Sequence, residues 1–140
     1  SDAPLLGNTV AGVLGNPRNG QRQKALDLLQ RFGMKFTTPE ALKTDIGDHG
    51  SRLAAGEIHI LQLVRTLLSP REIMLFDDPF AGLPAEACTV LGQILNELKS
   101  RHTLVLALRE KPGFPGKEAV SITRWPLQKQ PRAAHHPEFF

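Results

Sequence analysis

Tyrosine is absent from this chain, and 140 residues hold only one cysteine, one tryptophan and two methionines. With Cys88 alone, no internal disulfide can form, and its place in an apolar helical stripe makes it a small hydrophobe. A reducing, cytoplasmic compartment is compatible with that. Long apolar runs are also missing: none reaches the roughly 18 residues of a membrane span, and no secretory leader pattern is present. Charge of one sign is scarce, with 17 Lys and Arg against 14 Asp and Glu, and no dense basic run. That balance argues against a nucleic-acid binder. What is present is 41% hydrophobic and 22% charged residues, enough for one core in a globular chain. The length is that of one domain or most of one. The chain opens Ser1-Asp2-Ala3 without an initiating Met, as expected of a piece of a longer protein.

Thr9 to Leu14 reads as a short helix capped by Asn8 or Thr9. A turn-rich break runs from Gly15 to Gly20. Residues 21–32 form a helical stripe through Ala25, Leu28, Leu29 and Phe32, with Gly33 as stop. Thr38-Pro39-Glu40 opens another short helix. A polar, glycine-bearing loop over 45–52 leads to a helix from about Gly56 to Leu68. That helix is apolar nearly all round and is expected to be buried; Pro70 ends it. Ile73-Met74-Leu75-Phe76 is an unbroken apolar run, which suits a strand buried on both faces of a parallel sheet. Pro84 starts a helix with a stripe through Ala87, Val90, Leu91, Ile94, Leu95 and Leu98. Thr103–Leu108 is a second buried strand, and Ala119–Thr123 a weaker third. From Lys129 onward the sequence reads as a tail. The order is that of an α/β fold.

The chemical clue is an apolar strand that ends in two acids, Asp77 and Asp78. In folds that hydrolyse nucleoside triphosphates, one acid at a strand's C-terminal end holds Mg²⁺, and a second beside it polarises water. The sheet edge at the strand C-termini is where such folds bind ligands. Alone, Asp-Asp-Pro after a strand serves equally as a turn with a helix cap.

The surrounding motifs resemble those of an ATP-binding cassette (ABC) nucleotide-binding domain of the exporter type. Thr44-Asp45-Ile46-Gly47-Asp48-His49-Gly50 is similar to Thr-x-Val-Gly-Glu-x-Gly. Leu53-Ala54-Ala55-Gly56-Glu57 stands where the family has its Leu-Ser-Gly-Gly-Gln signature. Arg65-Thr66-Leu67-Leu68 resembles Arg-Ala-Leu-Leu, and Ile73 to Asp78 the Walker B strand, normally ending Asp-Glu. Pro79 to Pro84 stands in the place of the D-loop, and Thr103 to Glu110 in that of the strand before the switch histidine. Asp2 to Val10 resembles the stretch after the Q-loop. The likeness covers roughly residues 1–125.

The resemblance implies a P-loop NTPase-like α/β domain fragment: a helical subdomain over 1–70, the Walker B half of the core over 71–128 with an incomplete, mostly parallel sheet, and a tail over 129–140. It implies Asp77 as the Mg²⁺ acid, Asp78 and Arg109 at the catalytic and switch positions, and Ala54, Ala55, Gly56 and Glu57 as the loop facing nucleotide. ATP and Mg²⁺ are the implied cofactors. The implied partners are a second nucleotide-binding domain and a transmembrane domain, at the cytoplasmic face of a membrane, with Thr44–Gly50 near that contact.

Several positions depart from the pattern. No Gly-x-x-x-x-Gly-Lys-Ser/Thr loop occurs in the 140 residues; it is expected upstream of Ser1. The signature Ser is Ala54, the catalytic Glu is Asp78, the D-loop Asp is Pro84, and the switch His is Arg109, which accepts no proton at neutral pH. This chain alone is expected to be inactive. Two readings follow: a working part of an exporter ATPase, or a degenerate, non-hydrolysing regulatory module. A third, unrelated to the family, is an α/β domain used only for protein contacts. In the family, the phosphate-loop strand lies beside the strand that here is Thr103–Leu108. Its absence leaves an edge for a homodimer of this chain, a re-paired last strand or a partner chain to cover.

Overall fold

A computed structural model describes residues 8–109 of the chain. Helix α1 (Val10–Val13) starts at Thr9, whose hydroxyl accepts from Gly12 N at 3.1 Å. Asn8 bonds elsewhere, donating from Nδ2 to Asp48 Oδ1 at 3.0 Å. Helix α2 (Asn19–Arg31) begins two residues earlier than the periodicity predicts, because Asn19 and Gly20 enter the helix instead of the turn. It stops as expected, with Gly33 at φ +75°. The short helix at Glu40–Lys43 is a 3-10 turn, and Thr38 Oγ1 accepts from Ala41 N at 3.2 Å. The polar loop contains a second 3-10 turn, Asp48–Gly50.

Helix α3 (Ala55–Leu68) buries Ile60, Leu61, Leu63, Val64, Leu67 and Leu68. Helix α2 packs along it and buries Ala25, Leu28 and Leu29 in the shared core. Each fully buried Leu contributes about 1.5–3 kcal/mol relative to exposure. Strand β1 (Ile73–Asp77), helix α4 (Ala85–Leu98) and strand β2 (Thr103–Ala107) follow. The strands pair in parallel, with Leu75 opposite Val105 and Asp77 opposite Ala107. One continuous core joins α1 through α4, taking in Val10, Leu29, Leu61, Phe76 and Leu91.

The strands are not buried on both faces as the apolar runs predict. Met74 and Phe76 are buried, whereas Ile73 is 66%, Leu75 69% and Val105 41% exposed. Helices cover one face of this two-stranded sheet, and nothing among the described residues covers the other. An unbroken apolar strand is the pattern of a doubly covered sheet, so the sequence encodes a layer that residues 8–109 do not supply. The predicted strand at Ala119–Thr123 and the tail lie outside the described residues.

Candidate functional site

The site is built where β1 ends. Asp77 is the last residue of the strand, exposed, and no hydrogen bond or ion pair among the described residues engages its carboxylate. Asp78 follows at φ +46°, a left-handed conformation that short polar side chains tolerate. Its N–H donates to Ala107 O at 2.6 Å, which continues the ladder one residue past the strand. Its carboxylate is 26% exposed and lies 3.8 Å from Arg109 Nε, on a side chain 83% exposed. An ion pair this open to solvent is worth little in stability. It does place a permanent cation beside the second acid.

The turn after the acids is held from two helices. His59 Nε2 lies 2.7 Å from Pro79 O. A carbonyl only accepts, so that ring nitrogen carries a proton. Cys88 Sγ, on α4, lies 3.7 Å from both Phe80 O and Leu83 O. Desolvation by burial pushes its thiol pKa up. Gly56, on the first turn of α3, abuts the same segment: a Cβ there would sit 3.1 Å from Gly82 O. Glycine lets the helix tip approach this closely.

The tip itself is open. Ala54 and Ala55 are exposed, Gly56 and Glu57 half-buried. Ala54 precedes the helix with no side-chain acceptor, so only half of a capping box forms: Ala54 N donates to Glu57 Oε1 at 3.1 Å. The first-turn N–H groups of α3 have no intrahelical acceptor, and together with the helix dipole they favour an anion.

The structure therefore brings Asp77, Asp78 and Arg109 together at the C-terminal edge of the sheet, and ties the Ala54–Glu57 tip to the turn beyond them. Among the described residues, no group of three or more His, Cys, Asp or Glu is arranged to hold a metal. His59 belongs to none of the motifs that the sequence displays. Its spacing of three from Gly56 puts both on one face of α3, which was the available signal. Pro84, at the D-loop position, is the residue that starts α4.

The Thr44–Gly50 segment is wound tightly. Asp45 Oδ1 accepts from Gly47 N at 2.7 Å, and a Cβ on Gly47 would collide with Ser51 Oγ. Thr9 bridges to Asp45, which fastens the segment to the start of α1.

No family model matches the sequence. Its relatives nevertheless agree. The chain is 35% identical over 95 residues to the transport ATP-binding protein AarD of Providencia stuartii, covering 66% of this chain and 16% of that protein. It is 29% identical over 103 residues to a multidrug resistance ABC transporter ATP-binding and permease protein of Lactococcus lactis subsp. cremoris, covering 73% and 18%. The chain thus spans less than a fifth of the length of these two relatives. In three dimensions it matches a bacterial Atm1-family ABC exporter solved with ATP bound, at a TM-score of 0.57 and 23% identity over 78% of this chain and 20% of that one. By sequence this chain is a relative of the ATP-binding proteins of ABC transporters, and by fold it corresponds to part of an ABC exporter's P-loop NTPase-like α/β nucleotide-binding domain.

Proposed function

We propose that this chain forms the signature and Walker B part of an ABC exporter's nucleotide-binding domain, which couples ATP binding and hydrolysis to transport. The observation that carries the reading is Asp77: an unengaged, exposed carboxylate at the C-terminal end of a parallel strand, beside a turn tied to the open N-terminus of α3.

A lone carboxylate suits Mg²⁺, which binds through one or two carboxylates and takes the rest of its octahedron from water and phosphate oxygens. Asp77 would hold the ion, whose chemistry is to neutralise charge on the transferred phosphoryl group. Asp78 would orient the attacking water. Its reach is one methylene shorter than Glu, and Arg109 beside it draws the carboxylate aside. Ala54, Ala55, Gly56 and Glu57 would present backbone N–H groups to a triphosphate bound by a second nucleotide-binding domain. Thr44–Gly50 would face the transmembrane domain, at the cytoplasmic side of the membrane. No helix among the described residues is long and apolar enough to cross it.

The test joins residues 8–109 to the phosphate-loop half of a related exporter domain and titrates ATP with and without Mg²⁺. Tighter binding with Mg²⁺, lost in Asp77→Asn, supports the proposal. Affinity that ignores both the metal and the substitution refutes it. In the same protein Asp78→Asn is expected to abolish turnover and Asp78→Glu to raise it. Equal rates in both would mean that Asp78 does no chemistry, and would favour the non-hydrolysing module.

A further inference from the structure

A cleft opens among the helices, where α1, the start of α2 and the Glu40–Lys43 turn meet. Its volume is about 460 Å³, within the range of small-molecule sites. None of its lining residues belongs to the strand end or to the α3 tip. Buried Pro17 and Leu42 line it, and with them the exposed cations Arg18, Arg22 and Lys43 and one acid, Glu40. Among the described residues, no hydrogen bond or ion pair engages any of these four charged side chains, whereas Arg31, Arg52 and Arg109 each have a carboxylate.

The two arginines stand where a cation is destabilising. Arg18 is the N-cap of α2 and makes no side-chain cap bond, and no acid occupies the first turn. Arg22 lies one turn on, its N–H donating to Arg18 O at 2.8 Å. Two like charges therefore share a face, at the positive end of the helix dipole. The packing of α2 requires neither, since its buried residues are Ala25, Leu26, Leu28 and Leu29. An anion in the cleft would offset both penalties.

We propose that this cleft binds a phosphate-bearing small molecule, a phosphomonoester or a diphosphate. The inference does not rest on nucleotide binding at Asp77. Guanidinium groups pair bidentately with phosphate oxygens, and Lys43 meets the same group as a point charge. A phosphomonoester carries about two negative charges at neutral pH. That balances three cations against one acid, where a carboxylate would leave a cation over. Pro17 and Leu42 supply apolar surface for the body of an organic phosphate. Glu40 opposes the anion and so limits its affinity.

The experiment titrates the full 140-residue chain, without Mg²⁺, with phenyl phosphate, inorganic pyrophosphate and benzoate, and follows backbone amides by NMR. The expected result is saturable shifts confined to residues 16–22 and 39–43, with both phosphates bound more tightly than benzoate. Arg22→Gln and Lys43→Gln should each weaken phosphate binding by roughly tenfold or more, the loss of a hydrogen bond to a charged group. Glu40→Gln should tighten it. These side chains are exposed, so the helical signal in circular dichroism should not change. Phosphatidylcholine vesicles with and without phosphatidic acid form a second arm. Sedimentation with the acidic vesicles, lost in Arg22→Gln and Lys43→Gln, would support the same site with a lipid headgroup as the source of phosphate. Failure of both phosphates to saturate, together with no vesicle binding, would overturn the proposal. So would affinity that survives both substitutions, benzoate bound as tightly as phosphate, or shifts centred on residues 54–57 and 77–78.

Discussion

The helical half and the sheet of this molecule carry similar apolar content and bury it very differently. Helix α3 is apolar nearly all round, and packing from α2 and the rest of the core takes Leu61 and Val64 to 0% exposure. Strand β1 is apolar at four successive positions, yet Ile73 and Leu75 remain mostly exposed. A helix in this fold finds its neighbours within sixty residues of sequence. A parallel strand needs layers on both faces, and those come from sequence far away. The helical half is thus self-sufficient, and the sheet depends on residues beyond 8–109.

The comparison is most exposed to a matched pair of substitutions. Leu61→Ala should cost about 2–5 kcal/mol in denaturant unfolding, the usual range for a buried leucine. Leu75→Ala in a chain ending at residue 109 should stay within about 0.5 kcal/mol. Equal losses would show that the sheet face is covered after all. Next in size is Gly47→Ala. Its φ of +79° and the collision with Ser51 predict a loss of more than about 1 kcal/mol, readable as a lower urea midpoint. A neutral result would mean that the Thr44–Gly50 segment relaxes freely.

His59→Phe should follow at about 1–3 kcal/mol, since it leaves Pro79 O without its partner in a half-buried turn. Hydrogen exchange should rise at residues 79–83 and not in α2. If exchange rises throughout, His59 supports the core and not the turn. The smallest effect belongs to Arg31→Ala. The Arg31–Glu97 pair, at 3.1 Å, links α2 to α4 in full view of solvent, and should be worth less than about 1 kcal/mol, less still in high salt.

Much of this was legible in the sequence because its signals are local. Thr9 capping α1, Gly33 stopping α2, Pro70 following α3 and the acid-ended strand each depend on a few neighbouring residues. The start of α2 at Asn19 was missed because Asn and Gly signal turns, yet a helix tip open to water tolerates both. The double burial of β1 was wrong for residues 8–109 because an apolar run reports that cover exists, not where its sequence lies. The site was half legible. Motif order singles out Asp77, Asp78 and Arg109, and the structure places them at one edge of the sheet. The proximity of Arg109 to Asp78 arises from the one-residue extension of the ladder at Ala107, and the clamp by His59 is a contact across twenty residues that no motif announces.

The claim on which the functional account turns is that Asp77 sits in a metal–nucleotide site. Substituting Mn²⁺ for Mg²⁺ with ATP, in residues 8–109 joined to a phosphate-loop half, turns the ion into a paramagnetic probe. The account predicts NMR line broadening centred on Asp77 and Asp78, lost in Asp77→Asn. Broadening centred elsewhere, or unchanged by that substitution, would contradict it.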